Sequence, residues 1–250
     1  MTLDLNADAG ESYGVWSLGH DAALFGLLTS VNLACGFHAG DPLTIERSVK
    51  LAHRHGLAVG AHPGFPDRVG FGRRDLAAAP EEVYADVLYQ IGAVSAFLRA
   101  AGLPLHHVKA HGALYNRAAR DLETARAIAQ AVRDFDLALP LVVLPGTPLE
   151  AGALEAGLRA VAEAFPERGY TRDGRLAARG QPGAVVHDPH EAARRAVAMA
   201  LHGRVEAVDG GWVEMRPQTL CVHGDNPNAV QIARAVREAL EAEGVRLVAF

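Results

Sequence analysis

Cysteine is nearly missing from this chain, with two in 250 residues. That excludes a disulfide scaffold and favours a reducing compartment. Lysine is as scarce: Lys50 and Lys109 are the only two among 24 basic side chains. Positive charge is not in excess, because 29 acidic residues leave a net charge of −5. This excludes a general nucleic-acid or anionic-membrane binder. No apolar run approaches the length of a membrane-spanning helix. Met1–Gly10 carries acidic residues and no basic n-region, so no signal peptide is expected and the cytoplasm is the expected compartment. Four chemical signatures are also absent: the GxxxxGK[ST] phosphate loop, the G-x-S-x-G elbow, HExxH and paired CxxC. A P-loop ATPase and a serine hydrolase are thereby disfavoured.

What is present is a rhythm of short apolar runs, each ending in Gly, His, Asp or Asn before a helix begins. The strand candidates are Leu3–Asp8, Ser30–Ala34, Ala58–Ala61, Val108–Ala110, Leu141–Leu144, Val161–Phe165 and Leu220–His223. Helix starts are marked by a capping residue and Pro at Asp41-Pro42, Thr147-Pro148, Asp188-Pro189 and Asn226-Pro227. Thr147 and Glu150 have capping-box spacing. Helix stops fall at Gly56, Gly102, Gly157, Gly203 and Gly244. Val83, Val87, Ile91, Val94 and Leu98 repeat at helical spacing, as do Ala229, Ile232, Ala233, Val236 and Leu240. Alternating strands and helices in one domain, residues 1–250, predict an α/β fold: a seven-stranded (β/α) barrel, with a doubly wound open sheet as the alternative. Val205–Val208 and Trp212–Met215, joined by Asp209-Gly210-Gly211, read as a small added β-hairpin. Long loops are expected at Pro63–Ala79, around Asn116–Arg120, and at Glu167–Gly183.

The first strand has its polar residues on one face. Asp4, Asn6 and Asp8 alternate with Leu3, Leu5 and Ala7, so in a barrel the polar set lines the interior. A calcium loop is rejected because its sixth and twelfth positions would be Ala9 and Val15. Other strands end in histidine beside glycine: His38, His62, His111 and His223. Carboxyl ends of parallel strands share one face, which makes these four a candidate site. Lys109 lies at a strand end between His107 and His111, where a compact cation could serve a developing anion or form an ion pair with Asp8. Cys35 and Cys221 read as packing residues, His53, His55, His106 and His202 as solvated.

Five ordered segments are DLNADAGE at Asp4–Glu11, NLACGFHAGD at Asn32–Asp41, GAHPGFPDRVGFGRR at Gly60–Arg74, VKAHGALYN at Val108–Asn116 and CVHGDN at Cys221–Asn226. Together they resemble the LamB/YcsF family over nearly the whole chain. Ala110 stands where the family pattern has Pro, and Glu167 stands near an expected Asp. The resemblance implies a barrel related to glycoside hydrolase and deacetylase barrels. It implies ATP-dependent opening of 5-oxo-L-proline to L-glutamate, with ADP and phosphate formed, in a 5-oxoprolinase with partner subunits B and C. It leaves self-association open. Under that implication Asp8, Asp41 and Asp225 are candidate bases or metal-holding groups, and His38, His62, His111 and His223 are candidate proton carriers. Lys109 and Arg73 would meet anionic charge, while Asn6, Glu11, Tyr115 and Asn116 join Arg73 as candidate substrate contacts. A divalent metal, magnesium with ATP, is the expected cofactor set, with no ligands assigned. Two other readings stay open. One is a stand-alone metal-dependent hydrolase or deacetylase built on Asp8, His38 and His62; the other is a non-catalytic substrate-binding subunit.

Overall fold

The computed structural model describes every residue of the chain except Arg179, Asp225 and Pro227. Its strands are β1 (Thr2–Ala9), β2 (Ser30–Ala34), β3 (Ala58–His62), β4 (His107–Val108), β5 (Leu141–Val143), β6 (Ala160–Ala164), β7 (Arg204–Glu206), β8 (Trp212–Glu214), β9 (Thr219–Val222) and β10 (Arg246–Leu247). Its helices are α1 (Asp21–Leu24), α2 (Pro42–His55), α3 (Pro80–Ala100), α4 (Gly112–Ala118), α5 (Leu122–Phe135), α6 (Pro148–Glu155), α7 (Pro189–Leu201) and α8 (Ala229–Ala242). Strands β1 to β6 pair in order and in parallel, β9 follows β6, and β9 pairs back onto β1. The seven-stranded ring is therefore closed, and the open-sheet alternative fails. Strand β10 lies beside the start of β1, outside the ring. The β7–β8 pair is the expected antiparallel hairpin.

Side-chain alternation divides each strand between two environments. Leu3, Leu5, Ala7, Val31, Leu33, Val59, Ala61 and Val108 belong to the apolar core shared with the helices. The α3 stripe from Val83 to Leu98 and the α8 stripe from Ala229 to Leu240 are buried as their spacing predicts. A large apolar side chain buried this way contributes roughly 1.5–3 kcal/mol. The opposite faces fill the ring with polar groups instead of the branched aliphatics usual in such barrels. Asp4 accepts from Thr29, Ser30 and Thr219. Asn32 donates to Asn6 at 2.7 Å and to Asp8 at 2.9 Å. His107 sits inside the ring with Nε2 2.7 Å from Asn32 Oδ1, and its ring occupies the space a side chain at residue 60 would need, which is why that position is Gly60. Buried polar groups are tolerated because they satisfy one another.

Several local expectations need correction. Asp41 and Asp188 cap α2 and α7, but the Thr147 hydroxyl donates to Leu144 O and Glu150 accepts from Gly146 N–H, so no capping box closes α6. Helix α8 starts at Ala229 rather than beside Asn226; the Asn226 side-chain oxygen accepts from Asn228 N–H at 3.0 Å in the turn before it, while its amide nitrogen donates to Glu167 at 2.9 Å. The segment around Asn116–Arg120 is the end of α4 and a turn, not a long loop. His106 is half-buried against the Phe250 ring rather than solvated.

Candidate functional site

The polar layers rise through the barrel to a cavity of about 430 Å³ at the carboxyl ends of the strands. Asp8, His62, Lys109, His111 and His223 line it, each just inside or just past its strand. Arg73, Tyr115, Asn116, Phe165 and Arg168 form further parts of its wall.

Lys109 is the hub. Its Nζ lies 3.0 Å from Asp8 Oδ1, 2.9 Å from Glu163 Oε1 and 3.0 Å from Cys221 Sγ, at 3% side-chain exposure. Burial works against the ammonium, yet the negative charges of Asp8 and Glu163, with the hydrogen bond to Cys221 Sγ, outweigh it and hold its pKa well above the usual lysine range. The two carboxylates diverge. Burial pushes Asp8 up, but His62 and Lys109 overcome that and hold it well below the usual range. Burial raises Glu163, with Lys109 only partly offsetting it. Two carboxyl groups sharing one cation are thus separated into a firmly ionised one facing the cavity and a more basic one beneath it.

Above this hub, His62 places Nδ1 2.7 Å from Lys109 O and Nε2 3.3 Å from Asp8 Oδ2. His111 places Nε2 2.8 Å from Phe71 O and Nδ1 3.1 Å from His62 Nε2. Among the described residues Phe71 is the only non-glycine with positive φ, at 54°. A left-handed phenylalanine costs of order 1–2 kcal/mol, and here it turns its carbonyl onto His111. The same loop is clamped by the buried Gln90 amide, which accepts from Gly64 N–H and donates to Gly64 O, both at 2.9 Å. His38 stacks on His111 with ring centroids 3.7 Å apart, and Glu11 Oε1 lies 3.9 Å from His38 Nε2.

On the opposite wall, Glu167 accepts from the His223 ring Nδ1 at 2.5 Å, from its backbone N–H at 2.6 Å and from Asn226 at 2.9 Å. Burial raises the Glu167 carboxyl, but the His223 contacts dominate and hold it below the usual range.

The LamB/YcsF family profile matches residues 3–250. The chain belongs to the LamB/YcsF family. Similar members include a 5-oxoprolinase A subunit from Thermus thermophilus, 68% identical over 250 residues and 100% of both chains. The 5-oxoprolinase A subunit of Deinococcus radiodurans is 57% identical, covering 99% of this chain and 96% of its own. The crystal structure of a lactam utilization protein from Thermus thermophilus superposes with a TM-score of 0.96 at 66% identity, covering 100% of each chain.

Within the family frame, the structure brings Asp8, His62, Lys109, His111, His223, Arg73, Tyr115 and Asn116 to one cavity. His38 and Glu11 are buried next to it. Asn6 lies lower in the ring, donating to Thr219 at 2.6 Å and Glu163 at 3.2 Å, so it supports the hub rather than facing the cavity. Asp41 is not brought to the site: its carboxylate caps α2 through Leu43 and Thr44 N–H groups and ties down Gly14 N–H at 2.7 Å. Asp225 lies outside the described residues. Sequence reasoning overlooked Glu163, His107 and the anchoring by Glu167. A lone acid inside the apolar run Val161–Phe165 was the available signal for Glu163; His107 shares its strand face with Lys109. Nothing in the sequence places Glu167 against His223. Both cysteines are free and buried, and burial pushes each thiol up, Cys221 further than Lys109 can offset. Among the described residues no helix is long and apolar enough to cross a membrane.

Proposed function

We propose that this chain is the A component of an ATP-dependent 5-oxoprolinase that opens 5-oxo-L-proline to L-glutamate, with ADP and phosphate formed, in a complex with subunits B and C. The relatives that support the reading are named as A subunits of 5-oxoprolinase. The observation that carries the catalytic part is the buried Lys109 ammonium at the cavity wall, set between Asp8 and Glu163.

In this reading Lys109 meets the lactam oxygen as negative charge develops on it, where a preorganised cation in a water-poor site is most effective. Asp8, ionised and facing the cavity, orients the attacking water. Glu163 does not face the cavity and positions Lys109. His223 hands a proton to the departing ring nitrogen through Nε2, because its Nδ1 is held by Glu167. No phosphate-binding motif marks a triphosphate site on this chain. In the cavity wall Arg168 already donates to Ala177 O and Ala184 O, and Arg175 pairs with Asp173 at 3.2 Å. No step on this chain is therefore routed through ATP, and nucleotide use is assigned to the assembled complex.

The test is reconstitution with subunits B and C, following glutamate and phosphate from 5-oxoproline and ATP. The complex turns over and the chain alone does not; His223→Ala and Asp8→Asn each lower kcat by about 10²–10⁴. Hydrolysis by the chain alone without ATP would establish a stand-alone hydrolase instead. Full turnover by the Asp8→Asn complex would leave the chain a substrate-binding subunit.

A further inference from the structure

The histidines beside the hub present a bonding problem. A backbone carbonyl only accepts, so the contact to Lys109 O puts the proton of neutral His62 on Nδ1 and leaves Nε2 with a bare lone pair. By the same argument Phe71 O fixes the His111 proton on Nε2 and leaves Nδ1 bare. These two lone pairs face each other at 3.1 Å. Lone pairs do not approach so closely unless a positive species lies between or beside them.

A second observation says which kind. His38 is 1% exposed, and neither of its ring nitrogens has a hydrogen-bond partner, a costly state for a buried polar group. Its Nδ1 faces Gly64, where a side-chain carbon would stand 2.8 Å away, so Nε2 is the atom open to a ligand and it points toward Glu11 at 3.9 Å. An extra proton on His62 would satisfy His111 and Asp8 but would leave His38 with nothing. A multivalent cation would engage His38, His62 and His111 together. One ligand atom from each of Glu11, His38, His62 and His111 lies within 4.8 Å of the other three, and all four residues are buried. A four-coordinate ion with metal–nitrogen bonds of about 2.0–2.1 Å needs ligand atoms about 3.4 Å apart, so small side-chain shifts suffice.

We infer that Glu11, His38, His62 and His111 form a binding site for one divalent transition-metal ion, Zn(II) in class. Three imidazoles and one carboxylate suit Zn(II) or Co(II) and not Mg(II), which takes oxygen ligands and keeps its water. The site is thus distinct from any magnesium that accompanies ATP. Its neighbours fit the role: Lys109 O and Phe71 O hold the outer nitrogens of two ligands, fixing their tautomer and orientation. Gly64 and Gly72 leave room for the His38–His111 stack, since a side chain at either would collide with a ring. The bound ion would lock two histidines of the cavity wall. The inference stands on coordination chemistry alone and does not rest on the proposed lactam reaction.

The experiment uses the full-length chain, stripped with a chelator and then titrated with Zn(II), Co(II) or Mg(II) alone. Metal content after removal of excess ion is measured by mass spectrometry, and the Co(II) form by its visible spectrum. The expected result is one Zn(II) or Co(II) per chain, a d–d spectrum without a sulfur-to-cobalt band, and no competition from Mg(II). Glu11→Gln, which keeps the side-chain shape, and His38→Ala should each weaken binding more than tenfold, while His202→Ala leaves it unchanged. Circular dichroism confirms that each variant is folded. Substoichiometric binding by the wild type, retention of tight binding in a folded His38→Ala chain, or equal affinity for Mg(II) would overturn the inference.

Discussion

Replacing Lys109 by Met removes the cation that lies within 3.0 Å of both Asp8 and Glu163. Met is close to Lys in length and apolar, so the change is mainly one of charge. Breaking a buried ion pair by removing one partner costs about 3–5 kcal/mol, because the other charge is left uncompensated. For a domain of this size each kcal/mol moves Tm by roughly 2–4 °C, which places the variant about 6–20 °C below wild type. The two carboxylates do not share that penalty equally. Asp8 keeps the Asn32 amide at 2.9 Å and His62 at 3.3 Å, whereas Glu163 keeps the Asn6 amide at a longer 3.2 Å. Glu163→Gln in the Lys109→Met background should therefore restore much of the lost Tm, although Glu163→Gln alone gains nothing. The pH dependence has a definite sign. Burial already raises the Glu163 pKa, and loss of Lys109 raises it further, so folded Lys109→Met binds more protons than its unfolded chain. Its deficit relative to wild type should grow as pH rises through the interval between the folded Glu163 value of the wild type and the higher one of the variant, and shrink in acid. Thermal unfolding of the four proteins across that range is the assay. A Lys109→Met protein that melts within about 2 °C of wild type, or a Glu163→Gln change that deepens the loss, would refute the charge argument. In the reconstituted complex Lys109→Arg should also lose tenfold to about a thousandfold in turnover, since a forked guanidinium cannot occupy the place of a point charge.

Other consequences follow from single contacts. Asp41→Ala should lower stability by about 1 kcal/mol, the usual worth of an N-cap, and leave reconstituted turnover near wild type, as denaturant melts and the glutamate assay will show. Glu167 has a folded pKa below its unfolded value near 4.5, so its contribution is complete above that value and is lost as pH falls through the folded one. Glu167→Gln should therefore flatten the acid limb of the stability profile below the unfolded carboxyl value, measured by urea unfolding. Cys35→Ala should keep turnover, and native protein should resist iodoacetamide, because burial holds both thiols protonated; mass spectrometry after alkylation reads this directly.

Much of the fold could be read along the chain because its cues are local. The polar-apolar alternation of Leu3–Asp8, the capping Asp before Pro at Pro42 and Pro189, and the helical stripes of α3 and α8 each depend on backbone geometry over a few residues. Parallel strands then forced Asp8, His62, Lys109 and His223 to one end, so the sequence determined which side chains could meet. It did not determine how they meet. Closure of the ring depends on β9 pairing with β1 across more than 200 positions, and only that pairing sets Cys221 against Lys109. Glu163 is one acid in an apolar run until the barrel places it beneath the ammonium. Asp41 has the same chemistry as Asp8, yet it ends at the surface capping a helix, because a side chain's role depends on which backbone groups lie within 3 Å of it. Spacing along the sequence cannot encode the facing lone pairs of His62 and His111 either, since the carbonyls that fix those protons come from a strand end and from a left-handed turn 40 residues before His111.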